Sequence, residues 1–232
     1  MCGRFTLAKP LQQIEELVGE MEGELQLPPR YNIAPTQPVL TVLNTAANRL
    51  TFTQWGLVPH GAKDPAIGSR MINARAETVA RKPSFRSSFK RKRCLILADG
   101  FFEWAKVEGG RYKRPMYIRL TSGKPFAFAA LYADWQGSDG TKLTTSTILT
   151  TVANKLVSRI HHRMPVIIPR EDFPTWLNPD IRQPDDLTPL LDSYPASRME
   201  TYEVSSRVNN ARHDAPDCIE HDAKTPESGE LF

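Results

Sequence analysis

Between Cys94 and Ala153 the chain runs through four β-rich segments, "CLILADGFFEWAKV", "PMYIRL", "PFAFAALYADW" and "LTTSTILTTVA". β-Branched and aromatic residues of this kind suit a pleated, half-buried surface. The glycine-containing stretches "EGG" and "GSDG" between them are turn signals. No regular alternation of strand and helix patterns accompanies them, which argues against a doubly wound parallel sheet. Upstream, "YNIAPTQPVLTVL" reads as proline-interrupted extended chain and then a strand, and "RLTFTQWGLVP" as a second strand. "METYEVS" closes the series.

Helical patterns are short and peripheral. Leu11, Ile14, Leu17 and Val18 share one face of a helix within residues 10–21. In "PSFRSSFKRKR", with Ser84 as N-cap, Phe85 and Phe89 fall on one side, and Lys82, Arg86, Lys90 and Arg93 on the other. Further short helices are expected over Asn154–Ile160, Arg170–Leu177 and Asp185–Leu191. Residues 1–220 are therefore expected to form one α+β domain: a curved, mostly antiparallel sheet or partly open barrel with short helices around it. Residues 221–232 are expected to form a disordered acidic tail.

Composition excludes several classes. The 232 residues are 40% hydrophobic and 24% charged, ordinary for a globular protein. The longest apolar run, "FAFAALYA", is strand-sized and far short of a membrane span. No secretory leader pattern opens the chain, so a cytoplasmic location is the expectation. Three scattered cysteines, Cys2, Cys94 and Cys218, give neither a disulfide framework nor zinc spacing. The net charge is +4. Nine basic residues against one acid, Glu77, lie between Arg70 and Arg93, a solvated helix face or a footprint for a polyanion.

Chemistry concentrates at the start, "MCGRF". Methionine aminopeptidases remove Met1 before a small residue, which would leave Cys2 with a free α-amine beside its thiol. Two uses of that pair differ in class. The thiol attacks an amide with the amine as base, as in N-terminal nucleophile amidohydrolases and peptidases. Alternatively the amine attacks an aldehyde, and the thiol then closes a five-membered thiazolidine on the imine. At about pH 7.5 roughly a third of a terminal amine is neutral, against about one lysine in a thousand. A ring-opened abasic site in DNA is such an aldehyde on a polyanion. Phosphate-binding glycine motifs and the GxSxG elbow are absent from the sequence.

Three further polar residues sit where core residues are expected. Asn73 lies in "MINARAET". Strand alternation in "DGFFEW" puts Glu103 opposite Phe102 and Trp104, with Phe101 on its own face. A carboxylate among large aromatics tends to be desolvated and suited to proton transfer; the plainer alternative is a surface glutamate. His161 lies in "SRIHHRMP", where only one of His161 and His162 can face inward.

"MCGRF", "YNIAP", "WGLVP", "INARAET", "ADGFFEW" and "IHHRMP", in that order and over nearly the whole chain, resemble the SOS-response-associated peptidase family, whose members are abasic-site processing proteins. The resemblance implies an enzyme that binds single-stranded DNA and crosslinks Cys2 to an abasic site, with lyase and crosslink-reversal activity and a peptidase character confined to self-processing. It implies that Asn73 orients the terminus and the opened sugar, that Glu103 shuttles protons, and that His161 assists sugar opening or reversal. Arg4, Arg75, Trp104, Thr150 and Arg163 fall where the family contacts DNA. The resemblance implies no metal and no organic cofactor, and a nucleoid-associated monomer, with the replication machinery as a further partner, is the corresponding expectation. His60 and Gly61 stand where many relatives carry a tryptophan that wedges against bases. The closing "GELF" is faintly similar to clamp-binding peptides.

Overall fold

The computed structural model describes residues 2–19, 26–45, 49–107, 109 and 112–222. Its strands are β1 (Phe5–Leu7), β2 (Arg30–Ile33), β3 (Pro38–Leu43), β4 (Leu50–Trp55), β5 (Asn73–Arg75), β6 (Arg93–Ala98), β7 (Gly100–Lys106), β8 (Lys113–Leu120), β9 (Phe126–Gln136), β10 (Lys142–Val152), β11 (Arg163–Pro165), β12 (Ile167–Ile168) and β13 (Met199–Glu203). Its α-helices are α1 (Leu11–Val18), α2 (Ala76–Val79), α3 (Pro83–Arg91), α4 (Phe173–Leu177) and α5 (Pro184–Leu187).

Five strands close on themselves. β10 pairs with β4 and β9, β9 with β6, β6 with β3 and β3 with β4, so the ring is complete. β5 and β11 attach to β10, and β12 to β9. A second, five-stranded sheet runs β13-β8-β7-β1-β2. Every pairing in both sheets is antiparallel except those of β10 with β4 and β5. The expected α+β domain is thus present, its barrel a closed ring with an open sheet beside it. Among the described residues no helix is long and apolar enough to cross a membrane.

The main core lies between ring and open sheet. Phe5 packs edge-on against Trp55 and Phe128, with centroids 5.1 and 5.6 Å apart, and Phe101 meets Phe128 at 6.1 Å. Each of these rings is fully buried, and such burial contributes roughly 1.5–3 kcal/mol per side chain. Phe102 and Tyr117 face the other way and form a smaller cluster with Val204, Val208 and Cys218.

Five expectations need correction. "CLILADGFFEWAKV" is two strands in two sheets, because the chain turns a corner at Asp99. α3 starts at Pro83 with Lys82 as its cap, not at Ser84, since proline presets the first helical φ and has no N–H to satisfy. The span Asn154–Ile160 holds a 3-10 turn, Val157–Arg159. Arg93 does not continue the basic face of α3; it is fully buried at the start of β6. Its guanidinium donates to the carbonyls of Phe89, Lys90, Trp176 and Asn178, the ends of α3 and α4, where helix dipoles favour a cation. Burial pulls its pKa down to about 10. His221 and Asp222, assigned to the tail, bond with Val204 and Glu203; the rest of the tail, with "GELF", lies outside the described residues.

Candidate active site at the N-terminal cysteine

β1 inserts between β2 and β7 and carries Cys2 to one end of the open sheet. Phe5 opposes Phe101 and Thr6 opposes Gly100, and the Phe102 N–H donates to the Arg4 carbonyl at 3.0 Å. Continued, that register sets Glu103 beside the Gly3 end of the segment, next to Cys2. Alternation along β7 puts Glu103 on the core face with Phe101 and leaves Phe102 on the other. Glu103 is 4% exposed and Cys2 fully buried. The Cys2 thiol donates weakly to the Arg4 carbonyl at 3.9 Å. Its pKa is pushed well above the ordinary range, first by burial and then by the negative charge of Glu103. The thiol is therefore neutral at physiological pH and electrostatically coupled to Glu103.

Asn73 approaches from the ring. β5 lies parallel to β10, with Asn73 opposite Ile148 and Arg75 opposite Thr150. From there the Asn73 Nδ2 donates to the Cys2 carbonyl at 2.8 Å. Its Oδ1 is buried and has no hydrogen-bond partner among the described residues. A buried amide oxygen normally finds a donor; this one stands beside Cys2, whose peptide N–H would give way to an α-amine with additional N–H donors once Met1 is gone.

His161 follows the 3-10 turn. Its Nδ1 lies 3.0 Å from the Arg163 N–H, which anchors the ring. Half-buried, it stacks on exposed His162 with centroids 4.4 Å apart.

The residues expected at DNA are placed unevenly. Arg75 is exposed. Arg4 lies 5.9 Å over the Trp104 ring; its Nη1 donates to Asn32 Oδ1 at 2.7 Å and to the Val208 carbonyl at 2.8 Å, and burial lowers its pKa. The Trp104 indole N–H donates to Asn209 at 2.7 Å. Thr150 is fully buried. Arg163 is buried too, holds Glu77 through both nitrogens and also bonds the Thr150 carbonyl. Its charge is neutralised inside the protein. On α3 and at its cap, Lys82, Arg86 and Lys90 remain exposed.

The model of the SOS response associated peptidase (SRAP) family matches residues 1–211. The chain belongs to this family. SRAP relatives include the Bacillus subtilis abasic site processing protein YoqW, 47% identical over 95% of this chain and 99% of its own. The Gallus gallus abasic site processing protein HMCES is 29% identical over 94% of this chain and 77% of its own. Among solved structures, a crystal structure of a Bacteroides thetaiotaomicron protein superposes with a TM-score of 0.85 at 25% identity, covering 95% of this chain and all of that one.

Within this SRAP domain, several supporting residues were not singled out from sequence. Asn32, in "YNIAP", is fully buried and donates to the carbonyls of Val208, Asn210 and His213 while receiving Arg4. Asp99 and Thr6 form a buried pair beside Tyr117. His213, Asp217 and Cys218 bring potential ligand atoms within 4.8 Å of one another, but both Asp217 oxygens are engaged, by Arg207 and His213. All three cysteines are free and buried.

Proposed function

We propose that the chain processes abasic sites in single-stranded DNA, with Cys2, freed by removal of Met1, forming a thiazolidine crosslink to the opened sugar. The observation that carries this reading is the Asn73 amide, bonded to the Cys2 carbonyl through Nδ2 with its buried Oδ1 unsatisfied. An acceptor so placed orients a terminal amine. The relatives named for abasic-site processing match 95% and 94% of this chain and support the substrate class.

The raised thiol pKa sets the order of events. A neutral, buried thiol is a poor first nucleophile, whereas a terminal amine is partly unprotonated near neutrality. The amine attacks the aldehyde carbon, and water leaves as the C=N bond forms. The sulfur then adds to that carbon, the thiol proton passes to Glu103, and the former imine nitrogen takes it up as the ring closes. The sum is protein plus oligonucleotide minus one water. His161, at the end of the turn before β11, serves the slower steps of sugar opening, strand cleavage or reversal. Exposed Arg75, with the Arg4–Trp104 pair, supplies the contact to the strand.

A uracil-containing oligonucleotide treated with uracil glycosylase, incubated with the protein and run on a denaturing gel, tests the proposal. Intact mass spectrometry should show loss of Met1 and then the adduct mass. Cys2→Ala should still give a borohydride-trappable imine and no heat-stable product. Ammonia release from glutamine with no adduct on abasic DNA would instead identify an amidohydrolase.

A further inference from the structure

β1 has three residues, and its ladder alone fixes it weakly. Its pairing with β2 is irregular, Phe5 opposing Ile33 while Leu7 opposes Arg30. A slip of one residue would move Cys2 by about 3.3 Å and turn each side chain to the opposite face.

A buried chain of side-chain bonds opposes that slip. The Tyr117 and Thr6 hydroxyl oxygens are 2.8 Å apart, and the Thr6 hydroxyl donates to Asp99 Oδ1. Asp99 Oδ2 accepts the N–H groups of Ala8 and Lys9 at 2.6 and 2.9 Å. The Asp99 N–H returns a bond to the Thr6 carbonyl at 2.9 Å. All three side chains are at most 5% exposed. Burial and the Asp99 charge raise the Tyr117 pKa, so the phenol keeps its proton and donates to Thr6, and Thr6 gives its own to Asp99. A Cβ at Gly100 would lie 2.1 Å from the Tyr117 hydroxyl oxygen, so glycine is what lets the phenol reach.

The clamp joins two arms of equal length. Thr6 is four residues after Cys2, and Asp99 is four residues before Glu103. We propose that Thr6, Asp99 and Tyr117 are positioning residues that set the register of β1 against β7 and so place the Cys2 thiol relative to Glu103. The inference rests on the crosslinking reading above. None of the three touches the reacting atoms; they act through the two strands. Imine formation needs only the terminus, whereas ring closure needs thiol and carboxylate together, so misplacement slows the second step selectively. An error of about 1 Å can cost on the order of 10²-fold in rate.

Thr6→Val, Thr6→Ser and Tyr117→Phe in the full chain test this against the glycosylase-treated oligonucleotide. Borohydride trapping reads the imine, and heat-stable adduct reads ring closure. Thr6→Val is expected to trap imine within about twofold of the parent but to close the ring about tenfold or more slowly, and Thr6→Ser, which restores the hydroxyl, to return near the parent. Equal slowing in both Thr6 variants would mean that the fit of the whole side chain matters and not the hydroxyl bond in particular; that result, or parent-like closure in Thr6→Val, overturns the proposal. If Thr6→Val does not fold, Tyr117→Phe, which removes one oxygen, carries the same comparison. Hydrogen exchange of the Phe102 amide, bonded to Arg4, reads the seating of β1 without DNA. A parent that forms no adduct refutes the functional reading alone. Exchange then still decides: faster in the variants supports the clamp, unchanged exchange rejects it.

Discussion

The amide of Asn73 holds the carbonyl of Cys2 at 2.8 Å across 71 positions of sequence, joining the closed ring to the open sheet at the one residue proposed to react. Replacing Asn73 by Ala removes both the donor and the acceptor proposed for the terminal amine. Crosslink formation is expected to slow by about 10- to 100-fold, in line with losing a positioning contact, while thermal stability changes little. Single-turnover rates on abasic oligonucleotide, with a melting curve as control, check this; a parent-like rate assigns Asn73 to the fold alone.

Glu103→Gln keeps shape and burial and removes the proton acceptor. Ring closure should fall by about 10²-fold or more, the usual worth of a placed proton shuttle. The same substitution removes the negative charge that helps hold the Cys2 thiol protonated, so alkylation of Cys2 should begin at lower pH than in the parent. Slower crosslinking together with unchanged alkylation would count against direct coupling of the two groups.

Glu77 and Arg163 give a prediction for acid. Arg163 hydrogen bonds hold the Glu77 carboxyl below its usual range. A depressed folded-state pKa stabilises above the unfolded value, about 4.3, and that contribution disappears as pH falls through the folded one. Glu77 is about half exposed, which keeps the effect small, although its loss leaves buried Arg163 without its counter-charge. Glu77→Gln should cost about 1 kcal/mol at pH 7 and progressively less below pH 4. Denaturant melts at both pH values measure it, and a gap that widens in acid contradicts it.

The basic block divides into two kinds of residue. Lys82→Ala, Arg86→Ala and Lys90→Ala should each flatten the slope of log affinity against log salt by roughly 0.7 on single-stranded DNA, if each meets a phosphate. Arg93→Ala should act on stability instead, by about 1–3 kcal/mol for each buried carbonyl left without a donor, because it removes the partner of four carbonyl groups. Salt titrations that show no change for the three exposed residues would return α3 to an ordinary solvated face.

How far each feature could be read from sequence follows from the range of the interactions that make it. The face shared by Glu103 and Phe101 followed from period-two alternation within "DGFFEW", a local property, but the choice between a buried and a surface glutamate took the structure to make; the strand-rich middle followed from residue type and turns. The closed ring was not legible, because it depends on β10 reaching both β9 and β4, and the latter pairing joins Ser146 to Trp55. The Arg163–Glu77 pair was not legible either, because its two members lie 86 positions apart. Arg93 fitted the helical spacing of Lys82, Arg86 and Lys90, but α3 ends at Arg91 and the chain turns inward into β6. The Asp99–Thr6 bond spans 93 positions, so only its aspartate, inside "ADGFFEW", left any trace.

The dependence of Asn73 on β10 also bears on how the polypeptide is made. Strand β5 has its ladder partner at Ile148–Thr150, so the surface that receives Cys2 is incomplete until roughly two-thirds of the chain has been translated. At about 5–20 residues per second, the first residues wait on the order of ten seconds or more without their final neighbour. In that interval the start of the nascent chain is expected to be open to the aminopeptidase that the proposed chemistry requires, and β10 then supplies the ladder that sets Asn73 against Cys2.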